Sequence, residues 1–242
     1  MDGPVVGRCL TRAEVRRVDV RAVEEFGMLG LVLMENAGRG CADVLCRLGI
    51  DGPVVICCGL GNNAGDGFVL ARHLDLRRHP VQVVVCGDPA RLRGDAADNF
   101  RVLTRADVPI EVHGEQSDPE PLLRRMRGAH WLVDALLGTG ALGAPRAPFD
   151  RAIELMNSQS CRKLAIDLPS GLDCDTGSPA TPTFRADHTC TFVASKIGFL
   201  AAAARPFLGQ LHVLDIGIPR RLLDEVLAAG SSPDEPHRAT LT

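Results

Sequence analysis

Apolar positions along the chain follow two different rhythms, and the change of rhythm divides it. From residue 11 to 48 the spacing is helical. Thr11 followed by Glu14 has the separation of a capping box, and Val15, Val18, Val20, Val23 and Phe26 trace an approximately helical apolar face. Gly27 and Gly30 interrupt this pattern. A second helical stretch then carries Leu33, Ala37, Cys41 and Val44 at matching intervals, with small residues between them that permit close packing. Two N-terminal helices are predicted.

From residue 53 the pattern becomes short continuous apolar runs, at 53–58, 81–86, 109–113, 130–137, 162–167, 188–194 and 210–217. Amphipathic stretches such as 67–79 separate the early runs. Apolar, β-branched runs joined by helical crossovers predict an α/β fold with a mostly parallel central sheet covered on both faces. The later strands follow longer irregular loops, which leaves room for one or two antiparallel strands at an edge. One domain is expected over residues 1–228. Residues 229–242 are rich in Ser, Pro and charge without periodicity and are expected to form a disordered tail.

Charge is nearly balanced, with 27 basic and 30 acidic residues and a net charge of −3. That argues against nucleic acid or an anionic membrane as the main partner, because both require a basic excess. No apolar run approaches the roughly 20 residues needed to span a bilayer. The nine cysteines form no CxxC pair, and the polar, broken start MDGPVVGRCL is not a secretory leader. Reduced, mostly buried thiols in a cytoplasmic protein are expected. Cys57 and Cys58 share one run and should point to opposite faces of the sheet. Scattered histidines, with no HExxH, give no sign of zinc.

Candidate chemistry sits in the loops that follow the strands. The first is GLGNNAGDG, residues 59–67, at a strand-to-helix junction where glycines let a backbone approach a phosphate and the helix offers free N–H groups. Gly59, Gly61 and Ala64 fit GxGxxA, a weak dinucleotide signal by itself, and Asp88 comes late for the acid that should support it. Asn62, Asn63 and Asp66 supply more polar side chains than a turn requires. The second loop runs from Asp134 through Gly138, Thr139, Gly140 and Gly143. A carboxylate ending an apolar strand needs a partner, and the glycines can wrap a phosphate or sugar. The third holds Asp167, Ser170, Asp173 and Asp175; DCDTG is also good turn chemistry, whereas Asp167 sits at the strand tip. Lys196 follows a fourth strand. Most lysines are solvated, but one just beyond an apolar strand can serve a phosphate or a proton transfer.

Loops leaving the carboxyl ends of parallel strands share one rim, where ligands of open α/β folds bind. Asn63, Asp134 and Ser170 meeting there would present oxygens to one hard cation, and potassium suits a set with a single charged donor.

Taken in order, the LMENAG helix, the GNNAGDG loop, DALLGTG, DLPSGLDCDTG and TFVASKIG resemble the NAD(P)H-hydrate epimerase family from Thr11 to about Pro219. Ala64 departs from the glycine usual in that family, which matters only if the position requires φ > 0. The resemblance implies a Rossmann-like three-layer sandwich. It implies substrate contacts from Asn62, Asn63, Ala64, Gly65 and Asp66, from Gly138, Thr139, Gly140, Ala141, Leu142, Gly143 and Ala144, and from Asp167. It implies a potassium ion, one per subunit, on Asn63, Asp134 and Ser170, and a homodimer with the N-terminal helices as candidate interface. The substrate would be hydrated NADH or NADPH (NADHX, NADPHX), and a separate dehydratase would act on the product. Asp167 is the candidate proton-transfer group, with Lys196 assisting it. A redox dehydrogenase would need a substrate domain that is not visible. A non-catalytic binding or scaffold protein on the same fold is the other alternative, and the intact Asn63, Asp134, Asp167 and Ser170 favour an enzyme.

Overall fold

A computed structural model describes residues 8–228 of the chain. Helix α1 (Arg12–Glu24) opens with the expected capping box: Thr11 accepts from the backbone N–H of Glu14, whose side chain accepts from Thr11 N at 2.8 Å. Its buried face is Val15, Val18 and Ala22; Val20 and Val23, expected on that face, are exposed. At about 100° per residue they rotate out of the arc set by Val15 and Val18. Gly27 takes a positive φ between the helices. Gly30 interrupts nothing, being the first residue of α2 (Gly30–Leu48), which buries Leu33, Ala37, Cys41 and Val44 as its spacing predicts. Among the described residues no helix is long and apolar enough to cross a membrane.

Seven strands follow: β1 (Val54–Cys58), β2 (Val81–Cys86), β3 (Ile110–His113), β4 (Trp131–Ala135), β5 (Arg162–Ile166), β6 (His188–Phe192) and β7 (Gln210–Leu214). They form one sheet in the order β3-β2-β1-β4-β5-β6-β7. Every pairing is parallel. The edge left open among the later strands is parallel too, β6 pairing with β5 and β7 with β6 in that sense despite their long irregular connections.

Alternation along each strand sorts side chains into two cores. Ile56, Cys58, Val83, Val133 and Ile166 pack with α1, α2, α3 (Asn62–Leu76), α4 (Gly94–Arg105) and the C-terminal helix α7 of the described residues (Arg220–Ala228). Val55, Cys57, Val84, Leu132 and Ala165 pack on the other face with α5 (Pro119–Arg127) and α6 (Phe149–Asn157). The result is a three-layer Rossmann-like sandwich. Cys57 and Cys58 do fall on opposite faces. Cys41, Cys57 and Cys58 are fully enclosed, and burial pushes each thiol far above its usual range. The tail expected at 229–242 lies outside the described residues.

The strand order fixes where a ligand can sit. From β1 the chain builds outward through β2 and β3, then returns to the other side of β1 and builds through β4 to β7. The reversal lies between β1 and β4, and crossovers leaving in opposite directions open a crevice at their carboxyl ends.

Candidate active site

The crevice is lined by the loops that the sequence singles out. After β1 the chain passes so close to β4's extension that a Cβ on Gly59 would strike the carbonyl oxygen of Leu136. Helix α3 starts at Asn62 with no side chain capping its N-terminus. Ala64 is inside that helix and is not among the residues with positive φ, so its departure from glycine brings no backbone strain. Asn63 is buried, and neither its amide oxygen nor its amide nitrogen has a hydrogen-bond partner. An orphaned amide inside a protein is costly and marks a place for a ligand.

Asp134 lies opposite Cys57 in the sheet and is wholly enclosed. Its Oδ1 accepts from Ser170 Oγ at 2.7 Å and from Leu136 N at 3.1 Å; its Oδ2 accepts from Ser170 N at 2.8 Å. Burial pushes its carboxyl up to about 6 against the pull of the Ser170 bonds. Ser170 Oγ also accepts from Leu137 N at 3.0 Å, tying the second loop to the third.

Asp167 is the residue immediately after β5. It holds φ at +68°, a left-handed conformation that an L-residue other than Asn, Asp or Gly rarely takes. The position is held by a bond from its own N–H to Cys190 O at 2.7 Å. Its Oδ2 accepts from Thr139 N at 2.7 Å. Lys196 lies 3.4 Å from its Oδ1, is fully enclosed, and also donates to Phe192 O at 3.2 Å. A lysine expected at the rim is thus a buried counter-charge. Gly138 joins the groups: a Cβ there would sit 3.0 Å from Asp167 Oδ2 and 3.2 Å from Asn63 Cβ.

The structure therefore brings Asn63, Asp134, Gly138, Thr139, Asp167, Ser170 and Lys196 together. Asn62 and Leu142 remain exposed, and residues 138–144 form a flap whose exposed part is Gly140 and residues 142–144. Between that flap and the third loop lies a cavity of about 340 Å³, lined by Gly138, Ala141, Leu168, Pro169, Leu172 and Asp173 among others.

With this geometry in hand, residues 30–198 match the family described as YjeF-related protein N-terminus. The chain belongs to the YjeF-related N-terminal family. Among relatives of this family, it is 47% identical over 219 residues to a protein of Pirellula staleyi named NAD(P)H-hydrate epimerase, covering 90% of this chain and 96% of that one. A protein of Rhodopirellula baltica with the same name is 42% identical, covering 88% and 86%. A bifunctional NAD(P)H-hydrate repair enzyme of Salinibacter ruber is 37% identical, and there the match spans only 42% of the relative. The crystal structure of yeast ynu0 shares the fold, with a TM-score of 0.78 at 21% identity, over 96% of this chain and 97% of that one.

Two site neighbours escape the motif reading, both on α1, before the segment that matches the YjeF-related family. Asp19 lies one turn on from Val15, beside the arc of Val15, Val18 and Ala22. It keeps an exposed edge, yet burial on its inner side pushes its carboxyl up to about 6, with Lys196 pulling it down and Asp167 adding repulsion. Asp66, half-buried in α3, is raised well above the usual carboxylate range by burial and by repulsion from Asp167 and Asp19. Asp167 and Asp19 therefore share one enclosed lysine, and Asp66 is repelled by both. Arg12, the second neighbour, donates to backbone carbonyls of the 138–144 loop. Asp19 leaves a trace in the sequence as a charged residue in register with buried positions. Arg12 leaves none, being one arginine among many.

Proposed function

We infer that the chain is an NAD(P)H-hydrate epimerase, an isomerase that interconverts the R and S epimers of hydrated NADH or NADPH. The carrying observation is the buried pair of Asp167 and Lys196 at the crevice floor, beside the glycine loop and α3 N-terminus suited to a dinucleotide. It agrees with the names of the relatives from Pirellula and Rhodopirellula.

Hydration places a hydroxyl on the carbon beside the nicotinamide nitrogen. Inversion requires reversible loss of that oxygen, or ring opening, and return to the other face. In the ring-opening route a proton leaves the hydroxyl oxygen, the C–N bond electrons pass to nitrogen, and nitrogen gains a proton. No oxidant or reductant takes part. Asp167 moves the proton at the hydroxyl, its carboxyl oriented by Thr139 N on Oδ2 and by Lys196 beside Oδ1. Lys196 stabilises the charge on Asp167. A positioned group of this kind contributes about 10²–10⁴-fold. Residues 62–66 and 138–144 bind the dinucleotide.

Asn63, Asp134 and Ser170 suit a potassium ion. The unpartnered Asn63 amide and the enclosed, elevated Asp134 carboxyl are the features a cation would satisfy. Bound there, the ion supplies charge compensation and an electrostatic tie between the three loops. The exposed Val20, Val23, Leu29 and Val32 on and between the N-terminal helices support a homodimer. A separate dehydratase would consume the product.

Purified protein is to be mixed with separated hydrate epimers and followed by chromatography, with spontaneous epimerisation subtracted. Interconversion without redox change, faster with potassium, is expected. No acceleration over buffer would refute the assignment.

A further inference from the structure

Arg12 is the first residue of α1 and lies outside the segment that matches the family. Its side chain is four-fifths enclosed, with 19% exposure. Nη1 donates to the carbonyl oxygen of Thr139 at 2.5 Å and to that of Ala141. Nη2 donates to Asp173 Oδ2 at 3.0 Å, and Nε lies 3.5 Å from Asp175 Oδ2. The backbone N–H of Arg12 donates to Asp175 Oδ1 at 2.7 Å. One guanidinium thus bridges the glycine-rich flap after β4 and the turn after β5, the two walls of the 340 Å³ cavity.

Both ends of this bridge are differently prepared. Asp173 is fixed before Arg12 reaches it, its Oδ1 accepting from Asp175 N at 3.1 Å, Thr176 N at 2.8 Å and Thr176 Oγ1 at 2.9 Å. The flap carries glycines at 138, 140 and 143, and its internal tie is a single turn bond from Ala141 N to Gly138 O at 3.0 Å. A loop of that composition loses much conformational freedom on ordering. A planar fork with several donors can hold two carbonyls and two carboxylates at once, which a lysine ammonium cannot do from one point.

We propose that Arg12 is a positioning residue for substrate binding: it anchors the 138–144 flap to the Asp173 turn and so sets the width of the cavity between them. Its effect falls mainly on binding, because the backbone of Asp167 and the Lys196 ammonium are held by Cys190 O and Phe192 O, and only the Thr139 N bond to Asp167 Oδ2 is shared with the flap. The proposal rests on the epimerase reading for its kinetic test only.

The test compares wild type, Arg12→Ala and Arg12→Lys in the epimer assay, with amide hydrogen exchange across residues 138–144 measured in parallel. Expected are a KM raised about tenfold in Arg12→Ala and a kcat within about threefold of wild type. Arg12→Lys should recover little of the loss, added guanidinium ion should lower the KM of Arg12→Ala, and exchange in the flap should quicken. Unchanged KM with unchanged exchange, or a lower melting temperature with no kinetic response to guanidinium, would overturn it. Should Arg12→Ala fail to fold, Asp173→Asn removes one acceptor only and is expected to shift KM and flap exchange the same way; a wild-type KM there overturns the proposal. An inactive wild type would sink the epimerase reading instead, and exchange alone would then decide on Arg12.

Discussion

Asp167 combines two demands at one position. Its left-handed backbone costs on the order of 1 kcal/mol or more for most side chains, and its carboxyl faces an enclosed lysine at 3.4 Å. Aspartate and asparagine tolerate this backbone best, so Asp167→Asn isolates the charge from the geometry. That variant should keep the backbone geometry but melt at a lower temperature, because the enclosed Lys196 loses its counter-charge. It should bind the dinucleotide with near wild-type affinity and lose about 10²–10⁴-fold in epimerisation. Turnover like wild type in the chromatographic assay would discard the role. Asp19 offers a pH test. Its carboxyl is raised from 3.8 to about 6, with Lys196, Asp167 and Asp66 around it, so the folded protein holds this proton more tightly than the unfolded chain does. Ionising it therefore opposes folding increasingly as pH rises from about 4 to about 6, and fully above that range. Asp19→Asn is expected to raise the melting temperature at pH 8 and to change it little at pH 4; equal shifts at both would contradict the assignment. The glycine- and Asp-rich loops advertise their chemistry in sequence because such residues cluster for few other reasons. Arg12 does not, and Asp19 shows only its helical spacing, because the part of each depends on where α1 docks, which no local pattern encodes.

At the level of elements, the helices and strands follow from rules that act within a few residues. Thr11 and Glu14 satisfy each other's backbone neighbours at the start of α1, so Thr11→Ala should cost about 1 kcal/mol, or roughly 2–4 °C in melting temperature for a chain of this size, measured by thermal denaturation. Helices α2 and α3 meet at Gly38, where a Cβ would lie 2.5 Å from Val69 Cβ and 2.6 Å from the carbonyl oxygen of Asp66. Gly38→Ala must push α3 away and is expected to cost about 1–3 kcal/mol. Because α3 carries Asn63, activity in the variant should fall more steeply than stability. A fully active Gly38→Ala enzyme would show that this contact has slack. All seven strands lie within the apolar runs the sequence offers. Their direction at the β6–β7 edge was not legible, since long irregular connections permit either sense and only tertiary pairing decides it. The exposed Val20 and Val23 show the same limit: a loosely helical apolar pattern does not say which residues a neighbour will cover.

At the scale of the fold, the order β3-β2-β1-β4-β5-β6-β7 places its reversal where the three loops converge. Convergence could be inferred from parallel strands alone, since all their carboxyl ends share one rim. Which loops become nearest neighbours could not, because strand order is set by pairing between distant segments. If potassium joins them, exchanging it for a bulky organic cation should lower both the melting temperature and epimerisation. Restoring potassium at about 100 times its Kd should return on the order of 2.7 kcal/mol of stability. Identical melting curves in the two salts would count against the ion.

The sealed thiols of Cys41, Cys57 and Cys58 sit between layers that hide them completely from water. A reagent such as an aromatic disulfide can reach them only during excursions that part the helices from the sheet. Their labelling rate is consequently a stopwatch for large-scale breathing of the interior, readable by mass spectrometry in crude mixtures where no substrate has been added.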